Sequence, residues 1–215
     1  AIKSHVASRS WPKEVAERLN RQEEYKDLSM KVYGEPLTEE NIGKSLATFM
    51  RTLITPNYPL ARWLKGDENA LTERQKKGMA LFAGKGCTAC HAGPNFSNSS
   101  YQKIIVPGGE GDFGLYKRTK KRDDKYRFKV PSLLNVAKTA PYTHKGTVND
   151  LPSMVMLMAK EMLKTELKDD EVRDIVAFLD SLTGEMPQHF LTMPVLPTGG
   201  GEGDFGPGLL PSGKN

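Results

Sequence analysis

Cysteine is nearly absent from this chain: the 215 residues contain two, Cys87 and Cys90. That excludes a disulfide scaffold. A structural zinc site needs four ligands, usually from a second Cys or His pair at short spacing. Besides His91, the histidines are His5, His144 and His189, scattered and offering no such pair. Long apolar runs are lacking too. No stretch approaches the ~18 residues of a membrane-spanning helix, so no membrane span is expected. The start, Ala1-Ile2-Lys3-Ser4-His5, has neither an initiator Met nor the look of a signal peptide. Net charge is only +5, too little to imply nucleic acid but suited to an acidic protein partner. The length allows one or two domains with a real core.

What is present is concentrated. Both cysteines fall in Cys87-Thr88-Ala89-Cys90-His91, which reads Cys-x-x-Cys-His, the attachment pattern of a c-type haem. Two thiols three positions apart on one turn can each bond a haem vinyl group, and the next residue presents its imidazole to the iron. A thioredoxin-like redox pair would open a helix in a βαβ context, and no strand pattern precedes Cys87. The pattern therefore predicts one covalently bound haem c. Haem c is attached outside the cytoplasm, so the expected setting is the periplasm and the chain a processed one whose export signal is absent.

The remaining patterns are helical. Ser10-Trp11-Pro12 opens a helix carrying Val15 and Leu19, fraying through Tyr25, Leu28 and Met30 before Gly34 and Pro36. Thr38, with Glu39 and Glu40 behind it, opens another, on which Ile42, Leu46, Phe49 and Leu53 share a face. Thr72-Glu73-Arg74-Gln75 is a capping box leading to Gly78, Met79 and Phe82. Gly78 weakens that helix, which predicts a close crossing. The candidate partner is the last strong helix, entered through Asp169, Asp170 and Glu171 and carrying Val172, Ile175, Val176, Leu179 and Leu182 up to Gly184. The predicted fold is all-α: a c-type cytochrome domain over 67–184, a helical connector over 1–66 and a Pro/Gly-rich extended tail over 185–215.

Two features resist assignment at this level. Residues 117–129 hold eight Lys or Arg against Asp123 and Asp124, a net +6 that exceeds the charge of the whole chain. A solvated loop and a docking patch for an acidic redox partner both fit. Gly-Gly-Glu-Gly-Asp-Phe-Gly occurs at 108–114 and again at 200–206, with no longer repeat around it to suggest a solenoid. The iron's second axial position is also open. Met154, Met156, Met158 and Met162 cluster, and on a helix 154, 158 and 162 share a face. Such a stripe also serves as adaptable core packing, and periodicity alone does not choose a ligand.

Four ordered motifs resemble the C-terminal half of the bacterial dihaem cytochrome c peroxidases, the family that includes MauG. They are NIGKSLATFMRTLITPNYPLARWLKGDENAL (41–71), GCTACHAGPNF, FKVPSLLNVAKTAPYTHKG (128–146) and VRDIVAFLDSLTG (172–184). The similarity covers roughly residues 11–184. The resemblance implies that the haem is held by Cys87, Cys90 and His91, with the second iron ligand fourteen residues after His144, at Met158. MauG-type members carry Tyr there, so Met158 implies the high-potential, electron-transferring haem of the peroxidase branch. The carbonyls of Thr139 and Pro141 match positions that help bind a calcium ion; for His144 the expected role is a hydrogen bond near the haem, with plain packing as the alternative. Implied partners are a small redox donor of cytochrome c or cupredoxin type, a second haem domain in the parent chain or a partner, and a second copy in a homodimer. The departures are a single Cys-x-x-Cys-His where the family has two, Leu134 in place of a common Arg and Asn149 in place of a common Trp. The expected function is the electron-delivering half of a peroxidase that reduces hydrogen peroxide to water. The alternative is a monohaem carrier or a cytochrome subunit of a larger complex.

Overall fold

The computed structural model describes residues 12–187, which fall into two compact units, 12–54 with Pro187 and Thr55–Met186. The first unit is three helices: α1 (Pro12–Leu19), α2 (Glu23–Tyr33) and α3 (Glu39–Thr52). The single fraying helix suggested by the sequence is broken between α1 and α2. Asn20 is the reason, because its amide side chain both donates to Leu37 O and accepts from Leu37 N, each at 2.9 Å. Those two bonds hold the turn against the chain entering α3. Gly34 closes α2 in the left-handed region at φ 74°, its N–H bonded to Met30 O. Thr38 caps α3 by accepting from Asn41 N at 3.1 Å. Ile42, Leu46 and Phe49 lie on α3 as their spacing predicts, while Leu53 falls just past its end; Leu46, Phe49 and Leu53 stay about half exposed.

The second unit holds the main core. Its helices are α4 (Pro59–Leu64), α5 (Glu73–Gly84), the one-turn α6 (Tyr116–Thr119), α7 (Leu151–Met158) and α8 (Asp169–Asp180). Leu60, Leu71, Phe82, Leu133, Tyr142, Leu151, Ile175, Phe178, Leu179 and Leu182 form one buried cluster. Each such large side chain contributes about 1.5–3 kcal/mol on leaving water. The α5 capping box is complete, with Thr72 accepting from Gln75 N at 3.3 Å and Gln75 accepting from Thr72 N at 2.8 Å. One turn on, Gly78 meets α8 backbone to backbone: a Cβ there would overlap the Asp174 carbonyl and lie 3.0 Å from Phe178 Cβ. The close crossing read from Gly78 is therefore present. It is locked at its edge by Asp174, buried between Lys77 Nζ at 2.6 Å and Arg74 Nε at 3.4 Å.

Between α5 and α7 the chain does more than loop. Strands β1 (Tyr101–Lys103) and β2 (Arg127–Lys129) pair antiparallel in the register Tyr101↔Lys129, Gln102↔Phe128 and Lys103↔Arg127. Three-residue strands are too short to show readable alternation. Among the described residues the fold is mostly helical, with one two-stranded sheet. Further on, Asn135 sits in the left-handed region at φ 61° and ties the segment to the end of α8. Its Oδ1 accepts from Gly184 N at 3.0 Å, its Nδ2 donates to Thr55 Oγ1 at 2.9 Å, and its N–H donates to Leu182 O at 3.0 Å.

Candidate haem site

Helix α5, held by its crossing with α8, ends at Gly84, and the haem motif begins three residues later at Cys87. Gly86 reverses the chain at φ 91°, a conformation that disfavours a side chain. A single 3₁₀ turn over Cys87–Ala89 follows. Its bonds run Ala89 N to Gly86 O at 3.1 Å, Cys90 N to Cys87 O at 3.3 Å and His91 N to Cys87 O at 2.9 Å. One tight turn thus carries both thiols and the imidazole. Asn98 clasps it from the far side, its N–H on Cys90 O at 2.9 Å and its Nδ2 on Ala89 O at 3.2 Å.

The donor set suits a haem and little else. Cys87 and Cys90 are half-buried and not joined to each other. Burial pushes the Cys87 thiol up, the opposite of what a thiolate redox pair requires. His91 Nδ1 donates to Phe96 O at 3.0 Å, since a carbonyl can only accept. That bond fixes the proton on Nδ1 and leaves the Nε2 lone pair for a metal. Burial pushes the imidazolium down, against the carbonyls of Phe96 and Pro131, so the ring is held neutral. Phe82 lies 6.4 Å from the ring, and Phe178 packs against Phe82 at a tilt and against Phe96 edge-on. The haem loop is therefore seated on the α5–α8 core. No group of three or more His, Cys, Asp or Glu gathers to hold a bare metal ion among the described residues.

Asp150 caps α7, accepting from Ser153 N and Ser153 Oγ at 2.8 Å each. Met154 packs on the same core as Cys87 and Phe96. Met158, one turn on, ends α7 half-buried, while Met156 points outward at 45% exposure. The helix does not continue as α through Met162. Residues Ala159–Leu163 form a wider π turn, and Met162 within it is half-buried like Met154 and Met158. The end of this turn reaches back to the haem loop, Leu163 Cδ2 lying 3.9 Å from a Cβ built on Gly86.

Other residues singled out in the sequence fall elsewhere. His144 is exposed, and its Nδ1 bonds the carboxylate of buried Asp112. The Phe128 ring lies 5.2 Å from its imidazole. Lys117 Nζ at 3.2 Å and Gly114 N at 3.3 Å complete the Asp112 shell. Burial pushes the Asp112 carboxyl up, but the bonds from His144, Lys117 and Gly114 outweigh it and hold the group below the usual carboxylate range. Asp112 was not read from the sequence as a site residue. Its signal was the first Gly-Gly-Glu-Gly-Asp-Phe-Gly, whose turn supplies it; the second copy lies outside the described residues. Thr139 and Pro141 sit exposed in the chain leading to His144, and among the described residues no cluster of three or more His, Cys, Asp or Glu gathers there. Leu134 is half-buried and Asn149 exposed.

Comparison with known proteins places these features. Residues 1–69 match the family described as di-haem cytochrome c peroxidase, and residues 75–183 match cytochrome c. The chain is 42% identical over 186 residues to cytochrome c peroxidase Ccp of Escherichia coli K12, covering 83% of this chain and 40% of that one. It is 36% identical over 208 residues to cytochrome c551 peroxidase of Pseudomonas aeruginosa, covering 91% and 59%. It is also 36% identical over 200 residues to methylamine utilization protein MauG of Methylorubrum extorquens, covering 85% and 55%. The chain thus spans about half the length of these relatives. Among solved structures, a MauG-like protein associated with microbial copper homeostasis matches with a TM-score of 0.67 at 23% identity, over 80% of this chain and 62% of that one. That likeness is one of fold.

Proposed function

The chain belongs to the family of dihaem cytochrome c peroxidases and MauG proteins, and from that premise we propose that it is the electron-delivering haem domain of a bacterial cytochrome c peroxidase. The observation that carries the reading is a single haem-attachment turn, with its imidazole held neutral, in a chain that matches half of the two-haem relatives. When bound, the haem supplies a one-electron couple. Cys87 and Cys90 hold it covalently, and His91 offers Nε2 while the Phe96 carbonyl keeps the ring oriented. Met158 would be the second residue to hold the iron, and its soft thioether would favour the reduced state and raise the potential, suiting electron transfer over peroxide binding. Reduction of hydrogen peroxide to water then belongs to a second haem, supplied by the parent chain or a partner. A small cytochrome c or cupredoxin is the donor and the periplasm the setting. A calcium ion near Thr139 and Pro141 and a homodimer are further parts of the reading, checked by metal analysis and by sedimentation.

The test is the intact mass of the protein from its native source, together with the oxidised spectrum of the haem-loaded chain. A longer polypeptide with two haems, and the weak far-red band of Met-ligated ferric haem, are expected. A mass of this chain plus one haem would instead favour the monohaem carrier, to which the lone Cys-x-x-Cys-His also points.

A further inference from the structure

We propose that the basic lobe built by residues 101–129 is the docking surface for an acidic redox protein that hands electrons to the haem held by His91. The inference rests on the electron-transfer reading above and adds where the donor binds and what charge it carries.

The lobe is folded, which a solvated loop need not be. Phe113 packs edge-on against Tyr116 at 6.0 Å and Tyr126 at 5.6 Å, and Lys125 Nζ lies over the Phe113 and Tyr116 rings at 5.2 and 5.3 Å. Arg127 is spent internally, donating to Asp123 O at 2.9 Å and Tyr101 O at 3.1 Å. Of the lobe's four acids, Asp112 is buried against Lys117 and His144 and Asp124 is taken up by Thr119 Oγ1 at 2.7 Å, which leaves Glu110 and Asp123 against nine Lys or Arg. Arg118, Lys121 and Arg122 are exposed and make no ion pair among the described residues. A rigid frame thus presents uncompensated positive charge, and such a surface steers and orients a negatively charged partner.

Its position gives that charge a use. β1 leaves directly from the His91 loop and β2 runs directly into Val130 and Pro131. Ser97 Oγ donates to Val130 O at 2.7 Å, Val130 N donates to Ser100 O at 2.8 Å, and the Pro131 carbonyl faces the His91 imidazole. The strands that carry the lobe are therefore joined in sequence to the segments whose Phe96 and Pro131 carbonyls face His91. Tyr101 and Ile105, 40% and 54% exposed, add a small apolar spot beside the cations, and small contacts with a polar rim suit transient redox complexes. Nucleic acid fits less well, because the rings are turned inward beneath the lysines and offer no platform for bases. A lipid surface fits less well too, since the four-residue α6 has no apolar face to bury.

The experiment uses the haem-loaded full chain and two reductants in stopped flow: reduced flavodoxin, an acidic protein, and reduced lumiflavin, a small uncharged one. With flavodoxin the rate constant should fall steeply as salt rises. The triple variant Arg118→Glu, Lys121→Glu, Arg122→Glu should lose at least about tenfold at low salt and most of its salt dependence. A control with the same change of net charge on the other unit, Lys13→Glu, Lys31→Glu, Arg51→Glu, should keep most of the rate. Lumiflavin should reduce all three proteins alike. Equal losses in both triple variants, or a salt-independent flavodoxin rate, would overturn the proposal. So would binding to phosphatidylserine vesicles that the lobe variant alone abolishes, with flavodoxin kinetics unchanged. If lumiflavin fails to reduce the wild type, the electron-transfer reading itself is at fault. Flavodoxin affinity, read by fluorescence anisotropy, then judges the lobe separately: loss in the lobe variant supports the surface, and an unchanged affinity overturns it.

Discussion

Replacing Gly78 with Ala sets two effects of opposite sign against each other. Helix propensity favours the change by about 1 kcal/mol, since Gly is the costlier residue inside a helix. Packing opposes it. The new methyl would overlap the Asp174 carbonyl and touch Phe178 Cβ at 3.0 Å. The obstacle is backbone inside a buried helix, so no rotamer relieves it and α5 and α8 must part by on the order of 1 Å, loosening Phe82, Ile175 and Phe178. Overpacking of this kind costs about 1–3 kcal/mol, and a backbone obstacle puts the cost at the upper end, for a net loss of about 2 kcal/mol. Gly84 on the same helix is the internal control, because a Cβ there meets nothing within 4 Å. Gly84→Ala should be neutral or stabilising by up to about 1 kcal/mol. Guanidinium unfolding of the haem-loaded chain, followed by far-UV and Soret circular dichroism, reads both. Should Gly78→Ala prove as stable as wild type, or rank with Gly84→Ala, the crossing does not control this unit's stability.

Other expectations follow from single residues. Asn135→Ala removes the bonds to Thr55 and Gly184 and keeps φ near 61°; it should cost about 2–3 kcal/mol, whereas Asn135→Gly, which relieves the backbone, should cost about 1 kcal/mol less. Equal losses in chemical denaturation would count against a conformational part. Asp112 has its carboxyl lowered on folding, so its stabilisation is complete above the usual carboxylate range and lost as pH falls through its lowered value. Thermal melts of Asp112→Asn and wild type should therefore differ most near neutrality and converge in acid; a constant gap would contradict this. Met158→Ala should abolish the far-red band and lower the midpoint potential, while Met154→Ala and Met162→Ala retain the band. Loss of the band in Met162→Ala alone would reassign the ligand across the π turn.

Chemistry with a fixed local spacing could be read directly. The haem turn is five consecutive residues, and the caps at Thr38 and Thr72 involve partners three positions away, so tertiary structure had little left to decide there. Gly78 was nearly as legible, because a glycine inside a strong helix asks for a close neighbour and α8 was the one long amphipathic candidate. The family followed from four motifs in order. What stayed hidden depends on contacts between distant positions. Asn20 breaks a helix only because Leu37 folds back to meet it. Asp112 and His144 are 32 residues apart, and no local pattern joins a glycine-rich turn to a histidine. The π turn after Met158 is a choice of backbone winding that leaves no mark in side-chain periodicity. The basic segment was visible as charge, but whether it is a loop or a frame was settled by the pairing of β1 with β2 and by three rings packed beneath the lysines. Five neighbouring residues suffice to write the haem-attachment pattern; the pairing of β1 with β2 was decided only in the tertiary structure, because it joins positions about 25 residues apart.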